Sequence, residues 1–470
     1  MKNFSLAVIA ALLLTLLTLL LSSCGHIHTP SEPVRDNEID STCSSKGSYD
    51  EVIYCLGCNQ ELKRKTKYTE KIPHVFVDDF CSVCQYKKDD CNEGLLLSLN
   101  SDGESYMLKG IGTCTDTELV IGNYNGLPIT KIDYGALERC ANITKITIAD
   151  TVAEIGPYAF KGCSSLESIK LPSGLSVISY ELFKDCTSLE SIEIPENVYE
   201  ISGSAFEFCT SLQNVTLPTG LLSLGDSAFA SCTSFTDITV PASIAEIGSY
   251  AFARCSNLSN ITIEEGVVTV GEFAFQECSA IESIDLPYSI SGISSSAFLN
   301  CVNLKSVTMQ NNVSTIGPSA FYGCTSLTDI TLSQGLTKIN TAAFSMCESL
   351  ESITLPDSLI TVGNDLFNGC KKLKNIKIPD RVTTIGNSTF KDCLSLESVS
   401  FGAGLKFLGA MTFSGCESLT SVVFTDRSGW WYTEDSTKNE GKAVPESVLS
   451  SPELTALYLS TNYLNCYLKK

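Results

Sequence analysis

From residue 140 to residue 416 the apolar and polar positions repeat every 23 residues without a slip. Two copies, Cys163-SSLESIKLPSGLSVISYELFKD-Cys186 and Cys324-TSLTDITLSQGLTKINTAAFSM-Cys347, show the unit. An apolar residue stands three places after each cysteine, as in Leu166, Leu189, Leu212, Leu258, Leu327 and Leu350. Six and eight places after it stands an apolar pair, such as Ile169/Leu171, Ile192/Ile194, Ile238/Val240 or Ile353/Leu355, with a polar residue between its members. That alternation predicts a short strand with one buried face. Proline follows in seven copies (Pro172, Pro195, Pro218, Pro241, Pro287, Pro356, Pro379) and ends the pairing, because it has no N–H to give. The chain then turns, often through Gly174, Gly220, Gly266 or Gly335, and buries a second apolar pair such as Ile244/Ile247 or Val382/Ile385. A small-residue-plus-aromatic step closes the unit, as in Ala159-Phe160 or Ala251-Phe252. Phe holds that place in twelve of thirteen copies, with Leu137 in the first. A short helical or 3₁₀ turn there would send each Phe inward.

A unit this short cannot bury its own apolar face, whereas stacked units can. The pattern therefore predicts an α/β repeat solenoid of the leucine-rich-repeat type, with short parallel strands on one face. Strands about 4.8 Å apart make thirteen coils roughly 60 Å long. The thirteen cysteines on the grid, Cys140 to Cys416, are odd in number and equivalent. None has a histidine or second thiol at ligand spacing, so they read as buried structural thiols whose S–H groups serve carbonyls at the turns. Function should then lie on an extended surface and not in a pocket.

The unit apolar-x-x-Ile-x-Leu-Pro-x-x-(Leu/Val)-x-x-Ile-Gly-x-x-Ala-Phe-x-x-Cys resembles the treponemal-type leucine-rich repeat of BspA-like surface proteins, over roughly residues 117–424. The resemblance implies a solenoid with strands lining one face and a cell-surface role in attachment, to host matrix proteins or to other cells. Glu264, Gln310 and Ser333 replace the proline, and Ser179, Ser202, Ser294 and Asn340 replace the glycine after the second Ile. The core positions are untouched by these swaps.

Residues 1–23 read as an export signal: Lys2, an apolar run from Ala7 to Leu21, then small residues. Leu21-Ser22-Ser23-Cys24 resembles a bacterial lipobox, which implies Cys24 as the acylated first mature residue; an ordinary leader or an uncleaved anchor is the alternative. The expectation is an exported protein, lipid-anchored to a bacterial membrane and held at the cell surface. The formal charge is −21. Such an acidic chain should repel nucleic acid and anionic membranes, leaving the lipid as its membrane contact. Residues 24–45, polar and proline-containing, read as a flexible tether.

Residues 46–92 hold Cys55-Leu-Gly-Cys58 and Cys81-Ser-Val-Cys84. Paired CxxC knuckles offer four thiolates to a structural zinc, with His74 as a further candidate ligand. In an exported protein disulfides compete with that reading, and Cys43, Cys91 and Cys114 add candidates. Either staple suits a domain too small to build its own core. Residues 93–139 read as an N-terminal cap and 425–470, with Trp430 and Trp431, as a C-terminal cap.

Beyond His74 the chain has no histidine, and no P-loop, Rossmann or HExxH pattern occurs. Enzyme chemistry is therefore the weakest class. The middle strand residues Lys170, Glu193, Thr216, Thr239, Thr262, Asp285, Thr308, Thr331, Thr354 and Lys377 would form a long hydrogen-bonding face. That face suits many weak contacts with extracellular-matrix or cell-surface proteins and glycans. Thr and Ser are also simply what exposed strands favour. A scaffold or spacer lipoprotein without a dedicated ligand is the rival reading.

Overall fold

The computed structural model describes residues 29–39, 48–69, 76–77, 80–81 and 91–470. The chain divides into two compact units, Met1–Asp89 and Asp90–Lys470.

The second unit is a parallel β-solenoid in which each coil has three sides. On the first side the predicted strands pair in parallel with partners one repeat away, as in Lys145↔Ser168, Ile146↔Ile169 and Thr147↔Lys170. The ladder runs in four stretches, starting at Glu118–Ile121, Asp237–Val240, Ser283–Asp285 and Asn375–Ile378. Single bridges from Asn214 to Ser191 and Asp237 carry it across the first gap, and one from Ser352 to Asn375 extends the last stretch by one coil.

On the second side the sequence reading placed only a buried apolar pair. The structure makes it the longest sheet, nine two-residue strands from Val177–Ile178 to Thr361–Val362. Each strand gives one buried apolar residue and one outward residue, as in Glu200-Ile201 and Lys338-Ile339. Glycine follows in many coils because backbone is close: a Cβ on Gly248 would lie 2.6 Å from the Leu224 carbonyl oxygen. Two of the polar residues that replace that glycine bond through their side chains to the preceding coil. Ser179 Oγ donates to the Ile155 carbonyl and Asn340 Nδ2 to the Ile316 carbonyl.

The third side departs from expectation. The Ala-Phe step is a run of hydrogen-bonded turns and not a helix. Its donors alternate in direction. Ala159, Lys161 and Cys163 bond back three residues within the coil, whereas Tyr158, Phe160 and Gly162 donate to Tyr180, Leu182 and Lys184 of the next. Sending every second N–H sideways forbids the i→i−4 ladder of an α-helix. It also requires left-handed backbone twice per coil, for example at Tyr158 (φ 61°) and Gly162 (φ 72°), or at Glu181 (φ 50°) and Asp185 (φ 63°).

Inside, twelve phenylalanines from Phe160 to Phe413 stack coil on coil, with centroids 5.0–5.9 Å apart. Beside them the thiols form the ladder the sequence suggested. Cys186 Sγ donates to the Phe160 carbonyl at 3.1 Å, Cys278 to Phe252 at 3.0 Å and Cys416 to Phe390 at 3.0 Å. Cys140 differs from the others: it is half-buried, and its Sγ lies 4.0 Å from the Glu138 carbonyl oxygen.

Before the first coil, the hairpin Leu96–Leu99/Tyr106–Gly110 adds in parallel to Leu127–Ile132, which pairs with Glu154–Ile155. At the far end, Tyr467–Lys469 closes antiparallel on Phe407–Leu408, and Trp431–Thr433 pairs with it in turn. Trp430 is buried against Phe424, its Nε1 donating to the Asp426 carbonyl at 2.9 Å. Helices α1 (Glu446–Leu449) and α2 (Pro452–Ser460) follow. Ser451 caps α2, accepting from the Leu454 N–H at 3.3 Å, and Pro452 sits in its first turn.

The first unit contains an antiparallel sheet of Val34–Ile39, Ser48–Tyr54 and Glu61–Tyr68. Residues 34–39 belong to the segment read as a tether. They are instead an edge strand, held by pairing with the middle strand from Val34↔Val52 to Ile39↔Ser48.

Candidate functional site: the strand face

The alternation of each first-side strand turns its flanking isoleucines inward and its middle residue outward. Parallel pairing in register then brings the middle residues of successive coils into one column, as in Thr239↔Thr262, Asp285↔Thr308 and Thr308↔Thr331. Lys170, Glu193, Thr216, Thr239, Thr262, Asp285, Thr331, Thr354 and Lys377 are exposed, and Thr308 is half-buried. The structure thus collects all ten on one face. None of their side chains hydrogen-bonds or forms an ion pair with another described residue.

Hydroxyls elsewhere on the coils behave differently. Just after the cysteine, Thr187 Oγ1 donates to the Ser164 carbonyl at 3.2 Å, Thr210 to Thr187 at 3.3 Å and Thr325 to Val302 at 3.2 Å. Beside the open column lies a partnered one. Asn260 Nδ2 donates to Asp237 Oδ1, and Thr236 Oγ1 lies within hydrogen-bond reach of Asp237 (2.6 Å) and Asn214 (3.1 Å). The hydrogen bonds from Thr236 and Asn260 hold the Asp237 carboxyl below its usual range. This network stiffens the floor while the middle column keeps its donors and acceptors.

Two shallow troughs cross the face. One is lined by Asp150, Lys170, Ser173, Glu193 and Asn197, and the other by Thr216, Asp237, Thr239, Thr262 and Glu264. Both run from the open column to the corner where proline usually ends the strand. At Glu264, which stands where most coils have proline, the carboxylate accepts the Ala242 N–H of the preceding coil at 3.0 Å. In the first trough the Ser173 N–H lowers the pKa of Asp150. The repeat consensus does not mark these corners: Asp150 occupies a position it leaves open, and Glu264 replaces its proline.

The other sequence-derived sites fall in the first unit. Cys55 and Cys58 sit in the tight turn between Ser48–Tyr54 and Glu61–Tyr68. The Cys55 N–H bonds to the Gln60 carbonyl and the Asn59 N–H to the Cys55 carbonyl, each at 2.8 Å. Cys55 is buried and Cys58 half-buried. Cys81 ends the short strand Phe80–Cys81, described by its backbone alone. Cys24, Cys43, His74 and Cys84 lie outside the described residues.

The sequence matches the BspA type Leucine rich repeat region over residues 130–259, 245–371 and 337–429, and the chain belongs to that family. Among solved structures it is similar to a leucine-rich repeat protein from Bacteroides ovatus, with 27% identity and a TM-score of 0.58, covering 70% of this chain and 93% of that one. A leucine rich cell surface protein from Faecalibacterium prausnitzii is 24% identical with a TM-score of 0.43, covering 72% and 96%. The pneumococcal vaccine antigen PcpA is 20% identical with a TM-score of 0.49, covering 71% and 93%. No curated protein matches the chain.

Proposed function

We propose that this chain is a surface-displayed, lipid-anchored binding protein. In this reading it holds partner proteins or glycans on the strand face of its solenoid. One observation carries the proposal: ten middle-strand side chains stand in one column with no hydrogen-bond or ion-pair partner among the described residues, while neighbouring hydroxyls are tied down. Membership of the BspA type family supports display at the cell surface, and the lipobox-like Leu21-Ser22-Ser23-Cys24 supports Cys24 as the anchored residue.

Each open Thr offers one donor and two acceptor lone pairs, so a partner is held by repeated, individually weak hydrogen bonds. The four charged positions of the column, Lys170, Glu193, Asp285 and Lys377, balance in sign, so the column itself carries no net charge. Replacing Thr216, Thr239 and Thr262 together by arginine fills the central trough with like charge and bulk. That variant should keep its circular dichroism spectrum and lose capture of matrix or cell-surface partners. Undiminished capture would move binding off this face and favour the spacer reading. Cys24→Ser should release the chain from the membrane fraction or leave an unprocessed precursor; an unchanged location and mass would remove the anchor.

The tight Cys55–Cys58 turn supports one knuckle of a thiolate set, and with Cys81 and Cys84 it would hold a structural zinc. Bound there, the metal staples a small sheet and does no chemistry. Native mass spectrometry should show one zinc per chain, removable by chelator with loss of the first unit's structure. A metal-free mass lower by the hydrogens of two disulfides would assign the staple to disulfides.

A further inference from the structure

The first unit carries a second surface, with chemistry unlike that of the solenoid. Its strand Glu61–Tyr68, ELKRKTKY, places four cations in five residues, and strand alternation sorts them. Arg64 turns to the face where Asp50, Asp36 and Glu61 hold it at 2.7, 2.9 and 2.8 Å. Lys63, Lys65 and Lys67 turn to the other face. Register sets Lys63 opposite Ile53, Lys65 opposite Glu51 and Lys67 opposite Tyr49, and it sets Arg35 opposite Glu51 from the far strand. Arg35 lies 4.2 Å over the Tyr49 ring. Among the described residues four cations thus share this face with one acid, Glu51, which pairs with Lys67. Lys63 and Lys65 are exposed and make no ion pair with another described residue. This is the open side of the sheet: Asp50 and Val52 on the opposite side of the middle strand are buried, whereas Tyr49, Glu51 and Ile53 are half-exposed.

We infer that this face is a docking surface for anionic lipid headgroups. The chain's −21 charge argues against such contact, but that charge is unevenly distributed. Residues 1–89 hold ten Lys and Arg against eleven Asp and Glu, while residues 90–470 hold twenty-two against forty-two. Exposed charges more than about 8 Å away are largely screened at physiological salt, so a lipid surface feels the patch and not the sum. A flat basic face with Tyr49 and Ile53 interleaved matches an anionic interface, where cations meet phosphates and the apolar groups meet the glycerol layer. The choice of membrane over other polyanions rests on the proposed anchor. Eleven residues separate Cys24 from Arg35 and span at most about 40 Å, so an anchored chain keeps this face near the bilayer. The docked face would fix how the first unit stands on the membrane.

The test uses the mature chain carrying Cys24→Ser, so that no lipid anchor contributes. It is sedimented with phosphatidylcholine vesicles with and without phosphatidylglycerol. Binding should need the anionic lipid and disappear in high salt. Each unit of charge near the surface is worth about fivefold in partitioning. Lys63→Glu/Lys65→Glu should therefore weaken binding at least tenfold, while Lys372→Glu/Lys442→Glu, with the same change in net charge, should leave it unaltered. An absence of binding, equal binding to neutral vesicles, or equal weakening by both double variants would overturn the inference. Failure here leaves the anchor standing, because membrane release by Cys24→Ser is read separately in cells.

Discussion

Cysteine is kept on a 23-residue grid because one side chain fills a small apolar space and donates to a carbonyl of the preceding coil. Burial pushes these thiols up: Cys163, Cys255, Cys301 and Cys416 reach about 12, and the others on the ladder shift the same way. A thiol raised in the folded state stays protonated there while the unfolded chain ionises near its ordinary pKa of about 8.5. Stability is thus intact below that value and falls as pH rises toward the folded one, by about 1.4 kcal/mol per pH unit for each thiol. The solenoid should therefore lose stability progressively as pH rises above about 8.5, monitored by circular dichroism, and thiol reagents should count these cysteines only after denaturation. A flat stability profile to pH 11, or disulfides between repeats in the intact mass, would contradict the ladder. The left-handed positions make a second residue-scale prediction. Ala342 has φ 55° while its N–H bonds to Asn364 of the next coil at 2.8 Å. Relieving about 1–2 kcal/mol of left-handed strain outweighs the freedom glycine adds to the unfolded chain. Ala342→Gly should then stabilise by about 0.5–1 kcal/mol, and the adjacent, buried Ala343→Gly should destabilise.

The coil is where sequence and structure can be compared most closely. Its first strand, its buried pairs and its inward Phe were legible because burial imposes a period that residue types report directly. The thiol-to-carbonyl bonds were legible for the same reason, since an invariant polarisable group in a core needs an acceptor. The second-side sheet was not. Its strands are two residues long, as at Val177–Ile178, and a dipeptide carries no alternation to read. The left-handed third side was also hidden, because Tyr158, Glu181, Ser204, Phe273 and Met411 occupy positions where glycine would have announced the conformation. Those residues are held by bonds to the next coil, which no single unit displays. The open column was visible as a run of Thr, but its lack of partners was not, because partnering depends on what the neighbouring coil places alongside. Coupling between coils has an energetic consequence. Phe252 is fully buried, with ring centroids 5.7 Å from Phe229 and 5.4 Å from Phe275. Phe252→Ala should cost about 3–5 kcal/mol in denaturant unfolding and lower hydrogen-exchange protection in both neighbouring coils. An unaltered unfolding curve would mean the ring contributes nothing to the stack.

At the scale of the whole molecule the two units differ in charge: a nearly neutral unit has a basic sheet face, and an acidic solenoid has an open polar face. The central claim is that the solenoid binds by repetition, and chain length tests this more directly than any point change. Removing residues 256–301 deletes two whole repeats, keeping register and core while shortening the column. The measurement is surface plasmon resonance of a length series, full array against arrays two and four repeats shorter, over an immobilised matrix or cell-surface partner captured by the intact chain. Linked weak contacts multiply, so avidity should fall steeply with each pair of repeats removed, while any single Thr→Ala in the column changes it little. Binding that is constant with length but vanishes on removal of residues 46–92 or 425–470 would contradict the account and place recognition at the ends of the molecule.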